Sequence, residues 1–409
     1  GSCILPFTQP RFLIMDLKKN IQTESERLLQ DIIAIRRHLH QHPELSFHET
    51  NTSAYIRALL DDWGIAYDYP YVEHGFLARL GQGLPGKPVI ALRTDMDALP
   101  ILEETEVPFC STNEGVMHAC GHDVHMASLL GAIRILKGME KNIPGLLLFI
   151  FQPGEEKLPG GAKLMMEEGL FSTYTPDYIL AQHVLPEMET GNVGFRAGEY
   201  MASSDEIYIT VNGKGGHGAL PEKISDPILM ASHILISLQQ EINRKAPRGT
   251  PTVLSFGKVI ANGATNVIPD KVYLEGTFRT MNETWRKDAH QVIKQIAEGI
   301  AGSMGGSVDL EIRHGYPVLK NDPGLTERAK KLAVELLGNE HVSDMSIRMT
   351  AEDFGWFSQE YPVVMYRLGV KNPSSGDIMA LHTSRFSPDE NALLTGMSLL
   401  AYLAASLAG

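Results

Sequence analysis

Cys120-Gly121-His122, the pair Glu155-Glu156, His183 and His382 are the residues of this chain whose types could do chemistry together. A thiol, three imidazoles and a carboxylate make up the donor set of zinc, or of a neighbour such as cobalt, nickel or manganese. Five ligands, each in a short turn after an apolar segment, suit two divalent ions rather than one. One glutamate of the pair is then left over, and metal-assisted hydrolysis needs such a carboxylate to take a proton from water. The residues alone do not order the two glutamates. Taken singly, a free cysteine is more often a small buried hydrophobe, and a Glu-Glu pair more often an exposed acidic turn. The run His118-Ala-Cys-Gly-His-Asp-Val-His125 is polar, hinged on glycine and flanked by apolar helix, which is not core composition. Within it His118 and His125 read as supports rather than ligands. Asp95, Asp97 and Asp123 read as acceptors that orient imidazole N–H groups.

Elements must bring these residues together. Val89–Arg93, Leu146–Phe151 and Tyr178–Ala181 are apolar runs of the buried-strand type, and Asp95, Glu155-Glu156 and His183 follow them directly. Helical spacing returns at Met126, Leu129, Leu130, Ile133 and Leu136, and again over 162–168. Such alternation predicts a largely parallel sheet covered on both faces. Sites in these α/β folds lie beyond the carboxyl ends of the strands. After about Gly191 the pattern changes to alternating strands, in the order strand, helix, strand, strand, helix, strand over 205–313, which is the ferredoxin-like order. From Pro317 apolar strand and helix alternate again. The expected organisation is an α/β domain formed by 16–192 and 315–409, interrupted by a ferredoxin-like α+β domain at 193–314. Leu17 to Leu39 has helical spacing, and His38, His40, His42 and His48 at its end read as a solvated helix terminus, where imidazolium suits the dipole.

The bulk numbers exclude more than they choose. A chain of 409 residues is too long for one ordinary core. A net charge of −13 argues against nucleic acid or an anionic membrane as partner. No apolar stretch is long enough to cross a bilayer. Gly1-Ser2 looks like a cloning scar and Met15 like a native start, without signal-peptide features. Three cysteines, Cys3, Cys110 and Cys120, give no even disulfide framework. A reducing, cytoplasmic setting is therefore expected, with Cys110 structural.

The segments Arg36 to Leu45, Arg93 to Pro100, His118 to His125, Phe151 to Glu156 and Asn266 to Asp270 occur in order. In combination they resemble the aminoacylase- and carboxypeptidase-type binuclear metallohydrolases, in the branch of hippurate hydrolases, auxin-conjugate hydrolases and N-acyl-amino-acid amidohydrolases. The resemblance runs from His38 to Ser387. It implies an α/β catalytic domain with two metal ions and an inserted lid domain through which subunits often form a homodimer. By motif, Cys120, His122, Glu156, His183 and His382 would be the ligands, with Cys120 bridging, and Glu155 the base. His217 would donate to the developing oxyanion, in its own or the partner's site, while Asn266 and Arg279 would help to hold substrate. The loop around His217, Gly213 to Ala219, lacks the Gly-Lys-Ser/Thr ending of a phosphate loop. Peptidase branches carry His-x-Asp where this chain has Arg93-Thr94-Asp95, so the chain sides with the Cys-x-His branch.

The expected reaction is hydrolysis of N-acyl amino acids, hippurate-like or N-acetylated, to a carboxylic acid and a free amino acid. Dipeptidase or carboxypeptidase action on the same metal site is the alternative. A hydrolase with Cys120 as nucleophile and His122 beside it, or a non-catalytic metal-binding protein, are the rivals. Glu352-Asp353-Phe354 reads as a cap before a helix.

Overall fold

The computed structural model describes residues 10–374 and 379–409, with side chains from residue 17 onward. Cys3 lies outside the described residues. The chain forms two compact units. One takes the described residues up to Gly198 with Lys320–Ser346 and Glu360–Gly409; the other is Glu199–Leu319 with Ile347–Gln359.

The first unit is built on an eight-stranded sheet. Its four central strands, in spatial order Leu146–Gln152, Val89–Asp95, Tyr178–Glu189 and Val363–Lys371, run parallel. Their residues are buried on both faces, which explains why the sequence shows apolar runs rather than alternation. An antiparallel hairpin, Ala66–Tyr71 and Gly75–Gly81, extends one side, and Phe76 stacks on Phe151 at 4.5 Å. Val193–Phe195 and Val342–Asp344 complete the other side. Helices Pro10–Gln41, His122–Gly138 and Ala392–Ala408 pack on one another. The last two are buried nearly all round, as apolar helices of a layered core must be.

The second unit carries a four-stranded antiparallel sheet in the order Thr252–Ile260, Lys271–Thr280, Asp205–Asn212, Ser307–His314. That order, with its two helices, is the ferredoxin-like one. Asp205–Asn212 buries every second residue, so Ile207, Ile209 and Val211 face the core with Val272, Leu274 and Phe278. Helix Pro227–Lys245 begins on Asp226, whose carboxylate accepts the Ile228 and Leu229 N–H groups. Helix Glu283–Ser303 begins on Asn282, which accepts the Trp285 N–H at 2.8 Å. Arg286 and His290 of this helix both reach the buried carboxylate of Asp205, at 2.5 Å and 2.7 Å. Among the described residues, no helix is long and apolar enough to cross a membrane.

Candidate metal centre

Most site residues of the first unit sit at the end of a strand or the start of a helix; His183, expected just after its strand, lies within it, and His382 lies in a turn. Val89–Asp95 delivers Asp95, with Asp97 buried two residues on. Leu146–Gln152 is followed by the turn Pro153-Gly154, which sets out Glu155 and Glu156. His183 projects from Tyr178–Glu189, beside the parallel strand Val363–Lys371. Cys120 and His122 flank Gly121, the N-cap of helix His122–Gly138. Gly121 has φ +79°, and a Cβ there would fall 2.6 Å from a Val184 methyl. His382 also has positive φ, +60°, and its N–H is held by the Ala119 carbonyl at 2.9 Å. Strain of that kind persists where the surroundings over-determine it, commonly at functional sites.

These positions converge. Donor atoms of Cys120, His122 and His183 lie within 4.8 Å of one another, and those of Cys120, Glu156 and His382 form a second such trio. Cys120 is common to both. Its sulfur is 3.6 Å from His183 Nε2, while Glu156 Oε1 is 3.2 Å from His382 Nε2. A third group joins His122 with Glu155 and Glu156, at 4.0 Å and 3.9 Å. His122 donates through Nδ1 to the Asp97 carbonyl at 2.8 Å, leaving Nε2 buried with no hydrogen-bond partner among the described residues. An imidazole pinned at one nitrogen, with the other aimed into carboxylates, is how a metal-binding histidine is held. The donor set and the orphaned Nε2 both fit divalent cations.

Electrostatics agree. Burial alone would lower the His122 imidazole, yet the Asp95, Asp97 and Glu156 carboxylates overrule it and push it up to about 10. Burial, with the charges of Glu156 and Glu155, pushes the Cys120 thiol well above its usual range. Burial and the nearby Arg367 hold His183 low, hence neutral. The cluster is rich in negative charge and stabilises positive charge.

The supports differ in part from expectation. Asp95 takes the His125 Nδ1–H at 2.8 Å and Arg93 at 2.8 Å, and His125 Nε2 accepts the Val184 N–H at 3.0 Å. His125 thus locks the His183 strand to the Asp95 turn. Asp123 instead serves the first helix, accepting from Arg36 at 2.7 Å and His40 at 2.9 Å. His40 is therefore no solvated terminus; it is buried, with its other nitrogen on Glu103 at 3.0 Å. His118 is buried too, neither ring nitrogen has a hydrogen-bond partner among the described residues, and burial drops it to about 4. Glu49, unremarked in the sequence, is fully buried and accepts the Gly154 N–H at 2.7 Å.

The remaining candidates lie on the second unit. His217 pairs with Val267 in a short antiparallel ladder, and the Asn266 carbonyl accepts the neighbouring Gly218 N–H at 2.9 Å, so these two candidates are neighbours. Arg279 is half-buried on Lys271–Thr280 and donates to the Met349 carbonyl at 3.3 Å. Glu352 and Asp353 are buried, and Glu352 accepts the Phe354 N–H at 3.1 Å ahead of the short helix Gly355–Ser358.

A mostly parallel α/β unit whose strand ends gather a thiol, imidazoles and carboxylates defines a metallohydrolase. The chain belongs to the peptidase family M20/M25/M40, whose sequence model matches residues 91–406. It is 39% identical over 308 residues to an N-acyl-L-amino acid amidohydrolase of Geobacillus stearothermophilus, covering 75% of this chain and 82% of that one. It is 37% identical over 374 residues to an N-acetyldiaminopimelate deacetylase of Streptococcus gordonii, covering 89% and 95%. A dinuclear metal-binding peptidase of family M20 from Bacillus subtilis superposes with a TM-score of 0.80 at 32% identity, covering 94% of this chain and 99% of that one. The chain is a metal-dependent amide hydrolase.

Proposed function

We propose that the chain hydrolyses N-acyl amino acids with the help of a pair of divalent cations, which Cys120 and its neighbours would hold. The observation that carries this reading is the single thiol common to two donor trios, with a further glutamate, Glu155, beside them. Cys120, His122, Glu156, His183 and His382 are the proposed ligands, and their mixed thiolate, imidazole and carboxylate character suits Zn, Mn, Ni or Co. Cations held there would polarise the amide carbonyl and acidify a water. Glu155 takes a proton from the attacking water as its oxygen bonds to the acyl carbon, and returns that proton to the amine nitrogen as the C–N bond breaks. Asp95 keeps His125 and Arg93 in place behind the ligands. His217 is proposed to donate to the oxyanion, and Asn266 and the Arg279 guanidinium to hold the substrate's amide and carboxylate. The resemblance to amidohydrolases and deacetylases supports amide bonds of acylated amino acids over longer peptides.

The reading includes a homodimer through the lid, supported by apolar side chains exposed along Thr252–Ile260 and Pro227–Lys245. A reducing, cytoplasmic setting suits a ligand that must remain a thiolate. The thiol-nucleophile alternative is disfavoured, because it leaves Glu155, Glu156 and His382, which cluster with Cys120 and His122, without a role.

The test is a panel of hippurate, N-acetyl amino acids and dipeptides, assayed for released amine after chelation and after return of each metal. Activity on the acylated amino acids that vanishes with chelator and returns with one metal is expected. Chelator-resistant turnover, or turnover of dipeptides alone, would sink the proposal.

A further inference from the structure

The segment between helices Pro10–Gln41 and Thr50–Asp62 is stitched to both turns that carry the carboxylates. Leu45 bridges Ala98, and the Ala98 N–H donates to the Glu44 carbonyl at 2.8 Å. Ser46 donates its hydroxyl to Asp97 Oδ2 at 2.6 Å, and the same oxygen accepts the Glu156 N–H at 2.9 Å. Phe47, at φ +65°, lays its ring on Gly154, where a Cβ would stand 2.3 Å from the ring. Gly154 itself has φ +63°. Below it, Glu49 Oε1 takes the Gly154 N–H at 2.7 Å, while Glu49 Oε2 is buried with no hydrogen-bond partner among the described residues.

We propose that Glu49 is the positioning residue of the Gly154-Glu155-Glu156 turn: by fixing the Gly154 N–H from beneath, its carboxyl group sets the directions in which the two glutamates leave the backbone. The inference rests on the reading of Glu155 as base and Glu156 as ligand. Asp97 holds the turn at the Glu156 N–H, Phe47 forbids a side chain at Gly154, and Glu49 supplies the hydrogen bond that stops the peptide between Pro153 and Gly154 from rotating. Rotation there would swing both carboxylates.

A glutamate fits this place as the neutral acid. An ionised carboxylate with a buried oxygen left unpaired is costly, and burial together with the Asp97 charge pushes Glu49 up to about 8. Glu49 therefore accepts one N–H without adding negative charge to a neighbourhood that already holds Asp95, Asp97, Glu155 and Glu156. Glutamine keeps both the acceptor and the neutrality. Aspartate keeps the acid but withdraws it from Gly154 by one methylene.

The experiment compares Glu49→Ala, Glu49→Asp and Glu49→Gln in the metal-loaded protein, reading metal affinity by chelator competition, and kcat and KM on an acylated amino acid. In the Ala and Asp variants metal affinity and kcat should each fall about tenfold or more, with KM within about threefold of wild type. Gln should restore both to within about threefold of wild type. The Asp variant decides the matter if Ala does not accumulate as folded protein. Wild-type metal affinity and kcat in the Asp or Ala variant would overturn the proposal, as would a Gln variant as impaired as Ala. Metal affinity is read without substrate, so failure of the substrate assignment and failure of the positioning role give different results.

Discussion

Glu155 and Glu156 are neighbours in the chain with different surroundings. Glu156 lies against His382 at 3.2 Å and in the trio with Cys120, whereas Glu155 Oε2 stands 4.0 Å from the orphaned His122 Nε2. If the first is a ligand and the second the base, the two substitutions should separate cleanly. Glu155→Ala should lower kcat by about 10²- to 10⁴-fold with bound metal near the wild-type amount, and Glu156→Ala should lose metal from the purified protein. Elemental analysis beside steady-state rates checks this, and equal metal loss in both would refute the assignment. The gathering of these side chains was legible in the sequence because Cys-x-His and Glu-Glu are compact motifs, one at the start of a helix and the other in the turn after a strand. What was not legible are contacts made at long range. His40 looks like a helix-end histidine until Asp123, 83 positions away, closes on it. Glu49 looks like a surface acid until Gly154, 105 positions away, arrives above it.

Elements were readable wherever burial imposes a period. The unbroken apolar runs of the central strands reflect cover on both faces. The alternation of Asp205–Asn212 reflects a sheet covered on one. Less readable was how a helix is anchored to its sheet. Asp205 begins a strand, and its carboxylate is the common partner of Arg286 and His290 on Glu283–Ser303. Burial opposes its charge, but these hydrogen bonds and charges win and hold the carboxyl well below its usual range. A lowered carboxylate pKa means that the folded form binds a proton less readily than the unfolded form. The stability it contributes is therefore present above the ordinary value of 3.8 and is shed as pH falls below it. Asp205→Asn takes from a buried guanidinium its closest charge partner, leaving it only the partly exposed Glu283 at 3.2 Å, and should cost about 3 kcal/mol at neutral pH. Urea unfolding at neutral and acid pH checks both points: the gap between variant and wild type should narrow on acidification. A gap that widens would contradict the sign.

At the scale of the whole molecule, the two edges of the second sheet are unlike. Ser307–His314 exposes Asp309, Glu311, Arg313 and His314, a charged edge of the kind that discourages further pairing. Thr252–Ile260 instead exposes Val253, Val259 and Ile260, the last two at 55% and 38%. Helix Pro227–Lys245 adds Leu229 and Ile236, exposed by 49% and 59%. An edge whose one charge, Lys258, is paired with Glu275 at 2.8 Å and an apolar helix face in the same unit are self-complementary surfaces for a two-fold pairing, in which the strand meets its own copy and the helices meet alongside. Light scattering at micromolar concentration should therefore give twice 45.1 kDa for the wild type. Ile236→Asp combined with Val259→Asp should halve that mass while leaving the melting temperature of the fold nearly unchanged, because neither side chain belongs to the core of its unit. If the resemblance also holds in placing His217 in the partner's site, the monomeric variant should lose kcat while retaining metal. A wild type that runs as a monomer, or a double variant that stays dimeric, would remove this surface from consideration.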